Sequence, residues 1–277
     1  MPYRSRTNSK RSDRAPRANF ESPKRRSIGG DQVEGRQAVR ELVRARVRKV
    51  DHIWIEDTVI KKGIVAEITD LAVAQRIPLL TVSRKRFETV SRSEGSQGIL
   101  AKATPVRDLA LEELVEESET PFLVVIDGIT DPHNLGAVLR SAELAGVTGV
   151  ILPQNRTTLV TPTVTKSAAG AIEYLKFALV SGIPSALREL SLIGVTTVGL
   201  EVKGTRSIFD LDAVSVDGPV ALVLGAEDKG LSRLTRERCD YLVNIPQVGR
   251  LDSLNVSAAA AIALFEIQRV RGKKSNL

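Results

Sequence analysis

Apolar runs and helix-like spacings alternate from Pro121 to the end of the chain. Residues 122–126 are continuously apolar, which is typical of a strand buried on both faces of a sheet. Helical spacing fills the segments between such runs, and this alternation favours a parallel α/β sheet with helices on both faces. The predicted strands are residues 122–126, 150–152, 175–179, 195–200, 220–224 and 241–245. The predicted helices are residues 134–145, 163–170, 183–190 and 231–237, with a last one that ends near residue 270.

A smaller α/β pattern precedes this one. Its first helix is indicated by apolar residues at helical spacing, namely Ala38, Val39, Leu42 and Val43. A second helix is predicted at residues 64–75, and the predicted strands are residues 52–56, 77–82 and 98–102. Composition then shifts from basic to acidic near residue 106, which marks a domain boundary. The predicted segments are a disordered basic tail at 1–29, a small α/β domain at 30–105, an acidic linker at 106–120 and an α/β domain at 121–272.

Positive charge is concentrated at the N-terminus. Residues 1–28 carry nine Lys or Arg and two acidic residues, so their net charge of +7 equals that of the whole chain. A basic, apolar-poor segment is expected to be disordered and to bind polyanions by counterion release. We therefore expect nucleic acid as a partner. A solubility tail and an organellar transit peptide are the alternatives.

The totals narrow the class of protein further. A single cysteine, Cys239, excludes an internal disulfide and fits a reducing, cytoplasmic location. The two histidines, His52 and His133, are far apart in sequence, so no metal site is expected. No apolar run approaches the ~20 residues that a membrane-spanning helix needs, so no membrane partner is expected.

Polar clusters follow three of the predicted strands. The first contains Asn134, which is predicted to open a helix, and Arg140 six residues later. The second places Glu227 between glycines, and the third contains Ser253 and Asn255 before an Ala-rich helix. Ligands of open α/β sheets bind beyond the carboxyl ends of strands, so we expect the three clusters to meet at one edge.

Each cluster by itself has an ordinary structural explanation. Arg140 fits a solvated helix face, Glu227 fits an ion pair with Lys229 or Arg233, and the third cluster fits a simple helix cap. The glycines around Glu227 do not form the dinucleotide-binding pattern, and the phosphate-binding loop of nucleoside triphosphatases is absent from the sequence.

Together, the three clusters resemble the motifs of the SpoU family of RNA ribose 2′-O-methyltransferases, which belongs to the SPOUT class. Their order and spacing agree with the family across residues 121–270. The matching segments are Asn134-x-Gly136-Ala137-x-x-Arg140-Ser141, Leu224-Gly225-x-Glu227-x-x-Gly230-Leu231, and Ile245-Pro246 followed by Ser253-Leu-Asn255-Val-Ser257. The resemblance implies S-adenosyl-L-methionine as methyl donor, a trefoil-knotted catalytic domain and a homodimer. Without it, the pattern predicts an unknotted, Rossmann-like sheet.

The resemblance also implies roles for individual residues. The backbones of Gly225, Ile245 and Leu254 would hold the adenine and ribose of the donor. Arg140 is the family's candidate for activating the ribose hydroxyl. Because an arginine stays protonated, it suits charge stabilisation and phosphate binding better than proton removal.

Four residues complete the predicted catalytic set. Asn134 and Glu227 would orient Arg140 and the substrate ribose, while Ser253 and Asn255 would shape the loop over the donor. No metal ion is required for this chemistry.

Substrate choice depends on the small domain. Gly35-x-x-Ala38-Val39 and Gln97-Gly98 resemble the substrate-binding domain of bacterial enzymes that methylate a guanosine of 23S ribosomal RNA, although Ser96 stands where a histidine is common. Transfer RNA and an adenosine of 23S RNA are the alternative substrates. A non-catalytic RNA-binding or ribosome-assembly protein on the same scaffold is the alternative function.

Overall fold

The structure, a computed structural model, describes residues 27–116, 118–212 and 216–272. Within these ranges the strands form two sheets, one of seven strands and one of four. Residues 1–26 of the predicted basic tail lie outside the described part of the chain. None of the described helices is long and apolar enough to cross a membrane.

The seven-stranded sheet is parallel throughout, as the alternation predicts. Its strands, in chain order, are β5 (Phe122–Asp127), β6 (Gly149–Pro153), β7 (Lys176–Val180), β8 (Thr196–Leu200), β9 (Arg206–Ser207), β10 (Val220–Gly225) and β11 (Tyr241–Asn244). Their order across the sheet is β7-β6-β5-β10-β8-β11-β9. Strand β11 therefore lies between β8 and β9, which are consecutive in the chain.

The central strands are buried on both faces, which explains their continuous apolar sequences. In β5, Phe122, Val124 and Ile126 join the core on one face, whereas Leu123 and Val125 join the core on the other. The same alternation holds along β10. A strand that is buried on both faces carries apolar side chains on both, so its sequence does not show the alternation between the faces.

Helices cover both faces of this sheet. They are α4 (Leu111–Glu116), α5 (Pro132–Leu144), α6 (Pro162–Ser167), α7 (Ile183–Leu192), α8 (Arg233–Arg238) and α9 (Val256–Gly272). Helices α5 and α9 contribute to the core on one face and α4 and α7 to the core on the other. The segment predicted as a helix at 163–170 is shorter, since α6 ends at Ser167 and a turn of 3₁₀ helix follows at Ala171–Glu173.

The four-stranded sheet belongs to the N-terminal part of the chain. Its strands are β1 (Gln32–Glu34), β2 (Val50–Glu56), β3 (Leu79–Val82) and β4 (Ile99–Ala103), in the order β1-β4-β2-β3. Helices α1 (Arg36–Ala45) and α2 (Ile64–Ala74) contribute to the core on one face, and α3 (Arg84–Val90) packs on the other. Sequence patterning missed β1 and α3.

Buried apolar side chains lie in two segments that the sequence marks by their charge. Ile28, assigned to the disordered tail, is buried in the core of the large sheet, and Gly29 pairs with Val160. The acidic stretch at 106–120, predicted as a linker or linking helix, contains α4, whose Leu111 and Leu114 are buried against the same sheet. In both places, burial of apolar side chains stabilises the segment. The many charged residues around these side chains make the burial hard to predict from the sequence.

A buried ion pair joins the two sheets. The side chains of Arg48 and Glu173 are 7% and 2% exposed, and Arg48 Nη2 lies 2.5 Å from Glu173 Oε1. Arg48 Nη1 also donates to the carbonyl oxygens of Gly30 and Thr104 at 2.7 and 2.8 Å. The guanidinium thus ties three segments of the small sheet region to the large one.

Candidate functional site

The carboxyl ends of four adjacent strands form one edge of the large sheet. Gly225 pairs with Asp127 across β10 and β5, Leu224 pairs with Leu200 across β10 and β8, and Val243 pairs with Leu200 across β11 and β8. The loops that leave these strands therefore begin side by side. The second and third polar clusters lie in two of these loops, and the first follows β5.

Three predicted residues from separate segments form one hydrogen-bonded cluster. The Asn134 amide nitrogen donates to Glu227 Oε1, and the Asn255 amide nitrogen donates to Asn134 Oδ1 at 3.1 Å. Asn255 also donates to Glu227 Oε1 at 3.4 Å. We call these three residues the amide–carboxylate cluster. Because Glu227 is held by two amides rather than by Lys229 or Arg233, the ion-pair explanation of this glutamate fails.

Two helix N-termini converge on this cluster. Asp131 caps α5, since its side chain accepts a hydrogen bond from the His133 backbone nitrogen at 2.8 Å. Asn255 precedes α9, and its Oδ1 accepts hydrogen bonds from the Ser257 backbone nitrogen and hydroxyl at 2.9 and 2.6 Å. Helix N-termini favour negative charge, which suits the Glu227 carboxylate beside them.

The start of α5 corrects one prediction. Asn134 was expected to open the helix, but α5 begins at Pro132 and Asn134 lies in its first turn. Asp131 as N-cap followed by proline at the first helical position is a strong start signal, so the sequence contained this boundary. Asp131 also accepts a hydrogen bond from the Asn134 side chain at 3.2 Å, which fixes the amide that reaches Glu227.

Glycines shape the loop that carries Glu227. Ala226 and Gly230 exchange backbone hydrogen bonds of 3.0 and 2.9 Å, so the loop folds back on itself. A Cβ at Gly225 would lie 2.2 Å from the Gly230 carbonyl carbon, and Gly230 has a φ of +63°. A side chain at position 225 would therefore force the loop open, and a side chain at position 230 would strain the backbone.

A cleft of about 640 Å³ lies next to this loop. Five of the predicted site residues line it, namely Gly225, Glu227, Ile245, Ser253 and Leu254. Apolar walls come from Leu200, Leu224 and Val256. A concave site of this size, with apolar walls and a few convergent polar groups, suits a small organic ligand.

Arg140 stands apart from the cluster in the single chain. It lies on α5 six residues after Asn134, which corresponds to about 9 Å along the helix axis and about 120° around it. Its side chain is exposed and, within the described ranges, forms no hydrogen bond or ion pair. The structure therefore brings Asn134, Glu227 and Asn255 together, but not Arg140 with them.

Sequence reasoning missed two charged residues of the cleft. Glu201 directly follows β8, and Arg236 lies on α8, and both line the cleft. An acidic residue immediately after an apolar strand was the available signal for Glu201. Arg236 carried no signal, because the helix around it has many arginines.

His133 contacts the helix that lies next to α5. His133 Nδ1 lies 3.2 Å from Ser167 Oγ, on the side of α5 that packs against α6. Across the part of the chain that the structure describes, no three His, Cys, Asp or Glu side chains are grouped closely enough to hold a metal ion. Burial raises the pKa of Cys239 to about 12, so its thiol is protonated at neutral pH.

Fold and site together define a class of protein. The parallel seven-stranded sheet has a cleft for a small ligand at the carboxyl ends of its strands, and the amide–carboxylate cluster lies beside this cleft. The four-stranded sheet with its helices precedes the large sheet in the sequence. Such an arrangement is that of an enzyme or binding protein for a small organic ligand.

Comparison with known proteins gives the family. The model of the SpoU rRNA Methylase family matches residues 121–265, more than half of the chain. The model described as RNA 2′-O ribose methyltransferase substrate binding matches residues 32–109. The chain belongs to the SpoU rRNA methylase family and is thus an RNA methyltransferase by family.

Two curated relatives are similar over nearly their whole length. The 23S rRNA (guanosine-2′-O-)-methyltransferase RlmB of Pseudomonas putida is 38% identical over 249 residues, which cover 88% of this chain and 98% of that protein. The protein of the same name from Pseudomonas aeruginosa is 40% identical over 246 residues, which cover 87% and 97%. Among solved structures, an AdoMet-bound rRNA methyltransferase from Sinorhizobium meliloti superposes with a TM-score of 0.71 at 26% identity, covering 86% of each chain.

Proposed function

We propose that this protein transfers a methyl group from S-adenosyl-L-methionine to the ribose 2′-hydroxyl of a guanosine in 23S ribosomal RNA, in the cytoplasm. The observation that carries the proposal is the amide–carboxylate cluster of Asn134, Glu227 and Asn255 beside a cleft of about 640 Å³. The names of the two Pseudomonas relatives and the substrate-binding match at 32–109 support the choice of RNA.

The cleft fits a methyl donor of this kind. Leu200, Leu224 and Ile245 offer apolar walls for an adenine ring, and the backbones of Gly225, Ile245 and Leu254 offer polar groups for its edge. When bound, the donor supplies an electrophilic methyl carbon on a sulfonium and leaves as a neutral thioether. No metal ion is needed, because the positive sulfur already activates the carbon.

The side chains around the cleft must then bind the ribose and manage its proton. In the transfer, the hydroxyl oxygen would bond to the methyl carbon as the carbon–sulfur bond breaks, and the hydroxyl proton would pass to solvent water. Glu227 Oε1 accepts hydrogen bonds from both amides, which leaves Oε2 for a substrate hydroxyl. Ser253, which is exposed and lines the cleft, would shape the loop over the donor.

Arg140 would complete the site from a second copy of the chain. Its guanidinium lies on another face of α5 from Asn134 and has no partner within the described ranges, so a substrate phosphate or a developing oxyanion suits it. The paired helices α5 and α9 expose Leu144, Ile262 and Phe265, which are 64%, 37% and 49% exposed. A homodimer through this surface would cover these apolar side chains and bring Arg140 towards a partner's site.

A trefoil knot is the topology we propose for the catalytic domain at 121–272. Since β11 lies between β8 and β9, the loop that joins β8 to β9 must cross the end of β11. The crossing is close: a Cβ at Gly204 would lie 2.4 Å from the Val243 carbonyl carbon, and the Asn244 amide donates to the Gly204 carbonyl at 3.2 Å. The chain after β11 would thus pass through a closed loop.

The small domain at 30–105 is proposed to bind RNA, with the acidic segment 106–120 connecting it to the catalytic domain. Trp54 is the sole tryptophan and lies on β2, with the Arg86 guanidinium 5.3 Å from its ring centroid. RNA that binds near this face should change Trp54 fluorescence. Unchanged fluorescence at RNA concentrations that saturate binding would exclude this part of the domain as the contact surface.

The decisive experiment is methyl transfer to defined RNA. Labelled S-adenosyl-L-methionine should yield a 2′-O-methylated guanosine in a 23S fragment and no product when the target ribose lacks its 2′-hydroxyl. Product on the deoxy substrate would show that the ribose 2′-hydroxyl is not the methyl acceptor. Product on transfer RNA alone would show that transfer RNA is the substrate. Absence of calorimetric heat with the donor would favour a non-catalytic RNA-binding protein.

Substitution Arg140→Ala tests the second part of the proposal. It should lower turnover by about 10²-fold or more, the scale for losing one transition-state charge contact, with donor binding nearly unchanged. Arg233→Ala is the matched control, because Arg233 is also exposed but pairs with Glu237 on its own helix at 2.8 Å. Full activity of Arg140→Ala would remove Arg140 from the mechanism.

A further inference from the structure

A charged pair inside the cleft holds both backbone groups of one loop residue. Glu201 Oε2 accepts hydrogen bonds from Arg236 Nε at 3.2 Å and Nη2 at 3.1 Å, and from the Leu231 backbone nitrogen at 3.4 Å. Arg236 Nη2 also donates to the Leu231 carbonyl oxygen at 3.2 Å. The carboxylate and the guanidinium therefore bind each other and the same peptide residue.

Leu231 directly follows the Ala226–Gly230 turn that carries Glu227. At its other end the loop is anchored by Gly225 in β10, and its middle is closed by the Ala226–Gly230 backbone pair. Because the backbone nitrogen and oxygen of Leu231 are both held, the position of the chain just after the turn is fixed. The side chain of Leu231 is itself buried in the core, so the loop end has little freedom left.

The Glu201 carboxylate also packs against the loop directly. A Cβ at Gly230 would lie 2.9 Å from Glu201 Oε1, so the carboxylate occupies the space that a side chain at 230 would need. The Glu201 side chain is 13% exposed, whereas that of Arg236 is 42% exposed. The cation and the hydrogen bonds that this enclosed carboxylate needs come from Arg236 and Leu231.

We propose that Glu201 and Arg236 are positioning residues that set the shape of the methyl-donor cleft by clamping Leu231, and with it the loop that carries Glu227. The inference rests on the proposed function of this cleft. Neither side chain is assigned a contact with the reacting atoms. The expected signature is therefore a loss of donor affinity with a smaller effect on turnover once the donor is saturating.

The test compares three single variants with the wild-type full-length protein. Glu201→Gln keeps the shape of the side chain but loses the charge, and Arg236→Lys keeps the charge but loses the planar fork that reaches two partners. The control is Glu237→Gln, which breaks an ion pair on the same helix whose side chains are 76% and 54% exposed and which does not touch the loop. Calorimetry with S-adenosyl-L-methionine gives the dissociation constant, and steady-state assays give kcat and the KM for donor.

Both test variants should weaken donor binding by about tenfold, the factor that corresponds to ~1.4 kcal/mol. Turnover at saturating donor should fall far less, and Glu237→Gln should match the wild type. The double variant with both test substitutions should bind the donor no more weakly than the worse single one, because the two side chains act through one contact.

The outcomes separate this inference from the proposed function. No donor heat with the wild type overturns the proposed function itself. Donor heat with the wild type, combined with unchanged affinity in both Glu201→Gln and Arg236→Lys, overturns the clamp. Lower turnover with unchanged donor affinity also overturns it, since that pattern reflects only a smaller folded fraction.

Discussion

Replacing Arg48 with methionine tests how strongly the two sheets depend on one buried ion pair. The substitution leaves the Glu173 carboxylate, 2% exposed, without its cation, and leaves the carbonyl oxygens of Gly30 and Thr104 without their donor. Removing one partner of a buried ion pair costs about 3–5 kcal/mol, because the remaining charge stays desolvated. For a protein of this size, 1 kcal/mol corresponds to ~2–4 °C in Tm, so we expect a fall of at least ~6 °C.

The matched control is Arg44→Met. Arg44 lies on α1 near Arg48 in sequence and pairs with Glu67 at 3.2 Å, but its side chain is 50% exposed. Exposed pairs contribute about 0–1 kcal/mol, so this variant should melt close to the wild type. The two substitutions remove the same kind of side chain and differ mainly in burial.

Thermal unfolding should be followed by far-UV circular dichroism and by fluorescence of Trp54, the sole tryptophan, which lies on β2. The first signal reports the whole chain and the second the small sheet. The double variant Arg48→Met with Glu173→Gln should recover part of the loss, because no charge remains buried. If Arg48→Met melts at the same temperature as Arg44→Met, the pair contributes nothing and the argument from burial is wrong.

Three further outcomes are expected. Gly225→Ala should abolish donor binding in calorimetry, since its Cβ would lie 2.2 Å from the Gly230 carbonyl carbon; normal binding would mean that the loop adapts. Burial alone would raise the pKa of Glu34, but hydrogen bonds, led by that from Ser93, lower this pKa below its ordinary value of 4.5. Denaturant titrations of the wild type should therefore show the free energy of unfolding falling as the pH drops below 4.5. The variant Glu34→Gln should show a weaker dependence on pH. With burial raising the pKa of Cys239 to about 12, its alkylation should be much slower in the native protein than in urea, and equal rates would contradict that burial.

The large sheet followed from its sequence because burial on both faces leaves a plain signal. Residues 122–126 and 220–224 are apolar without interruption, and β5 and β10 occupy these positions at the centre of the sheet. The missed elements lack such a signal. Strand β1 has three residues, and two of them, Gln32 and Glu34, are buried polar residues, so the pattern there is that of a loop.

The sequence predicted that the site residues follow the ends of strands, but it did not predict which of these residues contact each other. Asn134 and Glu227 are 93 residues apart, and their hydrogen bond depends on β10 pairing with β5, a neighbour that spacing does not reveal. The family resemblance supplied the grouping that local patterns lacked. Glu201 lay outside every motif, and its role becomes visible only through the position of Leu231.

The order of strands explains why this cleft forms where it does. Strand β8 lies between β10 and β11, so the residue after its end, Glu201, faces the loops that follow both neighbours. Had β11 joined the sheet outside β9, Ile245 would start its loop one strand, or about 5 Å, farther from Gly225. The cleft is therefore a consequence of inserting β11 between two strands that are consecutive in the chain. This arrangement requires a residue without a side chain at position 204, because a Cβ at Gly204 would collide with the backbone of Val243.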